Sequence, residues 1–387
     1  MKSEKSARTP TPPGSWRETV GAPPAGLEEA ARVALHDVMR IKAKERVLIA
    51  TNPVKESFTI SAALADAAMA AGADTTLIVQ PRRTSLDMAS DAVIHALRSG
   101  PDVVISISAE KMGKDRFGLV KPYRYPGVKG SWTHIFDALK GAKKARAFWS
   151  PGVTLDSFVR TVPIDYALLQ RRAVALKRVF DPGDRIHITA AGGTDLEVGI
   201  HGRKTHADDG LFHKVGSGGN LPAGEVYISP ALNDAEGIMV FDVSVSIVGG
   251  TIVPDVPVRV TVKNGLVVKV EGGEAAHRLE DSLLAGEKMA HGMTGKKGWT
   301  PKKVASYARN AHHLGEVGIG LNPQARVTGN MLEDEKILGT CHIAIGSNYD
   351  DDAEALIHLD CIIQSPTITV MGRGGKRTVV MEEGRLL

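Results

Sequence analysis

The stretch "FTISAALADAAMAAGADTTLIVQ" (residues 58–80) carries a helix and a strand in one breath. Its Ala-rich first part has the composition of a buried helix, and Gly72 closes it. "DTTLIVQ" (74–80) then reads as a short apolar strand. The same alternation continues on both sides. "GLEEAARVALHDVMRI" has apolar positions at three- and four-residue spacing and "RVLIAT" (46–51) is a β-branched run. "DVVISIS" (102–108), the helical "WTHIFDALKGA" and "ARAFW" (145–149) follow. Strands that are apolar throughout, alternating with helices, predict a parallel sheet covered on both faces. No strand leads into G-x-G-x-x-G, so the pattern does not support a dinucleotide site.

"PIDYALLQRRAVALKRVF" (163–180) reads as a long helix stopped by "DPGD", which places a domain boundary there. The expected organisation is an N-terminal α/β domain over 26–181 and a second domain over 182–387. Beyond the boundary the pattern changes. "RIHITAAGGTDLEVGI" predicts a hairpin about a glycine-rich turn, and "VRVTVKNGLVVKVEG" a hairpin turning at Asn264-Gly265. "EVYISP", "GIMVFDVSVSIVGGTIV", "HLDCIIQSPTITVMG" and "RTVVMEEGRLL" add strands, and "TPKKVASYARNAHHLG" (300–315) a helix. The second domain is therefore expected to be a mixed, mainly antiparallel α+β domain. Residues 1–25, with prolines at 10, 12, 13, 23 and 24, read as a flexible arm.

The 387 residues carry 48 basic and 44 acidic side chains, too even a balance for a nucleic-acid footprint. No apolar run reaches the roughly 18 residues of a membrane span, and "TPTPPGSW" stands where a signal peptide needs an apolar stretch. A cytoplasmic protein is expected, with Cys341 and Cys361 reduced.

Chemistry is concentrated in the second domain. Ten of the 13 histidines lie from residue 187 onward. In "HLD", His358 and Asp360 are two apart on a strand and so face one point, which suits a metal or a simple hydrogen-bonded pair. In "CHIAIGSNY", His342 sits on a strand whose face also holds Ala344, and Tyr349 follows in a loop. In "LGEVGIGLNP", Glu316 opens an apolar run where an unpaired carboxylate is costly. In "GSGGNLPAGEVYISP", Glu225 begins a strand after a glycine-rich path. His312 and His313 end a helix, where they complement its dipole. Together these residues are enough to hold two divalent ions that share a carboxylate. H-E-x-x-H, C-x-x-C, G-x-S-x-G and Walker motifs are absent.

In "NLPAGEVYISP", "LGEVGIGLNP", "GNMLEDEKILGTCHIAIGSNY" and "HLDCIIQSPTITV" the chain resembles the M29 metallo-aminopeptidases, the aminopeptidase T/S group. The resemblance implies metal ligands at Glu225, Glu316, His342, His358 and Asp360, with Tyr349 as the active-site tyrosine. It implies catalytic roles for Tyr349, Glu316 and Glu225 and two divalent ions (Zn, Co or Mn). It further implies a homodimer that hydrolyses the N-terminal amide of peptides or small amides through a metal-activated water. Ring-cleaving dihydroxypyridine dioxygenases are similar in fold. They hold one Fe(II) by two histidines and an aspartate, with a histidine where this chain has Glu316. The glutamates and His342 favour the two-metal form.

Overall fold

The computed structural model describes residues 24–387. The expected arm over 1–25 lies almost wholly outside them. The chain folds as two compact units: the described residues up to Pro163 with Gly210–Leu221, and Ile164–Asp209 with Pro222–Leu387.

The first unit is the expected α/β layer structure. Its parallel sheet runs in the order Asp74–Val79, Arg46–Thr51, Val103–Ile107, Arg146–Trp149 and Gly218–Asn220. The central strands are apolar because both faces are covered; every residue of Val103–Ile107 is buried. Lys55–Ala70, Asp91–Arg98 and Ile135–Gly141 are among its helices. Their buried faces, including Ile94, Leu97 and Leu139, close over Leu48, Val104 and Ala147.

The fifth strand comes from far along the chain. Gly218 lies against the Ala147 backbone, where a Cβ would sit 2.2 Å from the Ala147 carbonyl oxygen. That contact explains Gly218 of "GSGGN", a stretch that sequence reading treats only as a tight path. The boundary also differs from the sequence expectation. Helix Tyr166–Phe180 belongs to the second unit, because its buried stripe of Tyr166, Leu169, Ala173, Leu176 and Phe180 finds its partners there.

The second unit contains two antiparallel sheets. One has eight strands, in which Gly183–Ala190 pairs with Thr194–Gly199 and Val258–Lys263 with Leu266–Glu271, as the hairpin signals predict. Asn264 and Gly265 both take positive φ at the second turn. The other sheet has seven strands, in the order Gly250–Ile252, Val245–Ile247, His358–Gln364, Thr340–Gly346, Leu314–Gly320, Glu225–Ile228 and His206–Asp208. An 18-residue helix, Glu274–His291, has no counterpart in the sequence reading. Among the described residues no helix is long and apolar enough to cross a membrane.

Candidate metal centre

The seven-stranded sheet builds the centre by its period of two. In its antiparallel register Gly318 faces His342, which faces Ile362, and Ala344 faces Asp360. Glu316 pairs with Ala344, Gly346 with His358 and Gly320 with Glu225. Side chains directly opposite share a face. One face therefore carries Glu225, Glu316, His342, His358 and Asp360, with Gly318, Gly320, Ala344 and Gly346 making room among them. The other face carries Val317, Ile319, Cys341, Ile343, Ile345, Cys361 and Ile363, all fully or nearly buried apolar core. Gly318 is required by contact: a Cβ there would lie 1.9 Å from His342 Nε2.

Five sequence-predicted ligands thus converge. Glu225, Glu316 and His342 offer ligand atoms within 4.8 Å of one another, and so do Glu316, His358 and Asp360. Glu316 belongs to both groups. Its Oε1 is 3.2 Å from His342 Nε2, and its Oε2 is 3.3 Å from His358 Nε2. His342 Nε2 is also 3.5 Å from Glu225 Oε2, and His358 Nε2 is 3.3 Å from Asp360 Oδ1.

The donor chemistry calls for cations. His358 Nδ1 is 2.7 Å from the Ser347 carbonyl oxygen, which can only accept, so Nδ1 carries the hydrogen. In a neutral imidazole, Nε2 is then a bare lone pair aimed at two carboxylate oxygens. Three acceptors meeting in a buried place are reconciled by a proton or a metal ion. The donor set, imidazole nitrogen with carboxylate oxygen, suits Zn, Mn, Co or Fe.

The electrostatics express the same crowding. Burial disfavours the His342 imidazolium, yet the hydrogen bond and charge of Glu316 push its pKa up to about 9. Burial works against a charged His358 too, and Asp360 and Glu316 hold it well above the ordinary value. Burial, partly offset by Lys336, pushes the Glu225 carboxyl up to about 8. For Glu316 burial is outweighed by the two histidines, which hold it below the usual range.

Tyr349 lies beside the centre. Its ring packs on Tyr227 at 4.8 Å and edge-on to His358 at 5.4 Å, and the residue is 51% exposed. Desolvation of its hydroxyl, with the charges of Glu316 and Asp360, pushes the phenol above its ordinary range, so it stays a hydrogen-bond donor. His312 and His313 lie elsewhere. His313 is fully buried, with Nδ1 on the Leu314 carbonyl, and His312 is 3.4 Å from Glu287.

Sequence reading misses Lys336. It is fully buried, with its ammonium 2.5 Å from Glu225 Oε1, 2.6 Å from Glu335 Oε1 and 3.8 Å from Asp208 Oδ2. Desolvation is outweighed by these carboxylates, which keep the ammonium charged. In the sequence the residue ends "EDEK", a charge run with the composition of a solvated turn.

The fold has known relatives. A solved 2,5-dihydroxypyridine dioxygenase from Pseudomonas putida KT2440 superposes with a TM-score of 0.67 at 15% identity, covering 93% of this chain and 96% of its own. AmpT from Thermus thermophilus, an M29 aminopeptidase, superposes with a TM-score of 0.62 at 19% identity, covering 94% and 99%. The M29-type fold expected from the sequence is therefore present. No curated protein sequence gives a significant match. Residues 154–373, more than half of the chain and inclusive of every candidate ligand, match the family model "NicX: 2,5-dihydroxypyridine 5,6-dioxygenase". The solved relatives thus include both an M29 aminopeptidase and a dihydroxypyridine dioxygenase, and by the family model the chain belongs to the NicX family.

Proposed function

We propose that the protein is a metal-dependent hydrolase of N-terminal amide bonds in peptides or small amides, with two divalent ions held by Glu225, Glu316, His342, His358 and Asp360. One observation carries this reading: Glu316 turns one carboxylate oxygen to each histidine, so each ligand group contains one histidine and two carboxylates. A mononuclear oxygenase iron is characteristically held by two histidines and one carboxylate. Neither group has that composition.

Bound divalent ions supply Lewis acidity, which lowers the pKa of a water toward 7 and polarises a carbonyl. The chain's own residues supply the rest. A carboxylate of the centre, Glu225 or Glu316, takes a proton from water and returns it to a departing amine. Tyr349, kept protonated and half exposed, donates to the oxygen on which charge develops. The buried carboxylates attract the free α-ammonium of a substrate, which selects chain ends. A homodimer belongs to the same proposal, by resemblance.

Amino-acid p-nitroanilides with added Co²⁺ or Zn²⁺ test the reading. Release of p-nitroaniline that is lost in Glu316→Ala and His342→Ala is the expected result. Unchanged hydrolysis in both variants would show that the activity lies elsewhere.

The family match favours a second reading, a mononuclear Fe(II) dioxygenase that opens a dihydroxypyridine ring. His358 and Asp360 would supply one imidazole and the carboxylate of that iron site, with Glu316 standing where those dioxygenases carry the second histidine. Oxygen uptake on adding 2,5-dihydroxypyridine to the Fe(II)-loaded protein, with no p-nitroanilide hydrolysis, would select it.

A further inference from the structure

Among the described residues, Lys336 pairs directly with one ligand group, through Glu225. Its ammonium occupies Glu225 Oε1 at 2.5 Å, which leaves Oε2, 3.5 Å from His342 Nε2, as the oxygen facing the centre. Among the described residues, the ion pairs of Asp360 and of Glu316 are with histidines alone. A second asymmetry points the same way. His358 is oriented through Nδ1 by the Ser347 carbonyl, whereas His342 Nδ1 is buried without a hydrogen-bond partner. Outer contacts of this kind set ligand basicity and orientation.

We infer that Lys336 is a positioning residue that makes the two cation positions unequal: Glu316–His358–Asp360 takes the first ion, and Glu225–Glu316–His342 takes a second, more weakly held one. The inference rests on the two-ion reading above. A divalent ion on Glu225 Oε2 shares its carboxylate with a fixed ammonium in a buried setting, where like charges repel strongly. An ion between Glu316, His358 and Asp360 shares no carboxylate with the ammonium, whose charge reaches Asp360 only from beyond ion-pair distance. The weaker position is then the one that exchanges with the medium.

Calorimetric titration of the metal-free, full-length protein with Co²⁺, with the visible absorption of bound Co²⁺ followed in parallel, tests this. Wild type takes up two ions in two steps whose dissociation constants differ by about tenfold or more, the scale of outer-shell effects. Lys336→Met keeps the bulk and removes the charge, so the second step tightens by about tenfold while the first holds. Two wild-type steps with the second unaltered or weakened in Lys336→Met would overturn the role of Lys336 and leave the two-ion reading standing. A single equivalent in wild type would overturn both.

Lys336→Met leaves three acids without their shared ammonium, so Glu335→Gln is the companion variant if it does not fold. It keeps Lys336 on Glu225 and removes one compensating charge. The second step then weakens severalfold and the first by less, since Glu335 reaches Asp360 only at longer range. An unchanged second step, or a shift confined to the first, would overturn the inference.

Discussion

Glu316 is the side chain on which the centre depends, because both histidines face it. Glu316→Ala is expected to leave a chain that binds at most one ion, measured by equilibrium dialysis against Co²⁺, and that hydrolyses no p-nitroanilide. Tyr349→Phe separates chemistry from binding. Loss of one donor to a developing oxyanion lowers kcat by about 10²- to 10³-fold, with KM and metal content little changed. A rise in KM at constant kcat would instead make Tyr349 a substrate-binding residue. At this scale much was legible. The i, i+2 spacing of His358 and Asp360 fixes a common face without knowledge of the fold. The dual role of Glu316 was not, since it depends on which strands lie on either side of it. Lys336 was hidden for a similar reason: only the packed sheet shows that the end of "EDEK" is buried on Glu225 rather than solvated.

Among the elements, strand Leu314–Gly320 shows how a sheet makes space for a metal centre. Gly318→Ala would place a methyl against the His342 ring. The expected cost is about 1–3 kcal/mol of overpacking, seen as a lower midpoint in urea, together with loss of the second bound ion. The first unit is braced differently. Arg146, 3% exposed, donates to both carboxylate oxygens of Glu45 at 2.9 and 2.7 Å and to the Met39 carbonyl. Arg146→Ala would strand Glu45 and the carbonyl and destabilise this unit by about 3–5 kcal/mol. Burial tends to raise the Glu45 carboxyl, but Arg146 and the Lys42 amide hold it below its ordinary value of 4.5. The stabilisation is thus fully present above pH 4.5 and lost as pH falls through the lower folded value. Acid unfolding followed by fluorescence should lose that component in Glu45→Gln. Strand and hairpin signals were legible because β-branched runs and Asn-Gly turns act locally. The strand at Gly218–Asn220 was not legible, and the helix at Tyr166–Phe180 was legible as a helix but not as part of the second unit, because their partners lie far along the chain.

For the molecule as a whole, the centre couples metal, proton and stability. His342 titrates at about 9 before an ion binds, so at pH 7.5 it carries a proton that an ion must displace. Metal uptake should therefore release protons, detected as a calorimetric enthalpy that varies with the ionisation enthalpy of the buffer. Affinity should climb as pH rises toward 9. Saturation with metal should raise the unfolding midpoint, by mass action. The overall architecture, an α/β unit followed by an antiparallel one, was legible because parallel and antiparallel strands bury different faces and so carry different patterns. The choice between hydrolysis and oxygenation was not, since one scaffold serves both.

The number of divalent ions bound per chain at saturation, measured by elemental analysis after equilibrium dialysis, tests the central claim most directly. Two equivalents, falling to one or none in Glu316→Ala, is the predicted result. One equivalent in wild type, undiminished by Glu316→Ala, would contradict a centre in which Glu316 is shared.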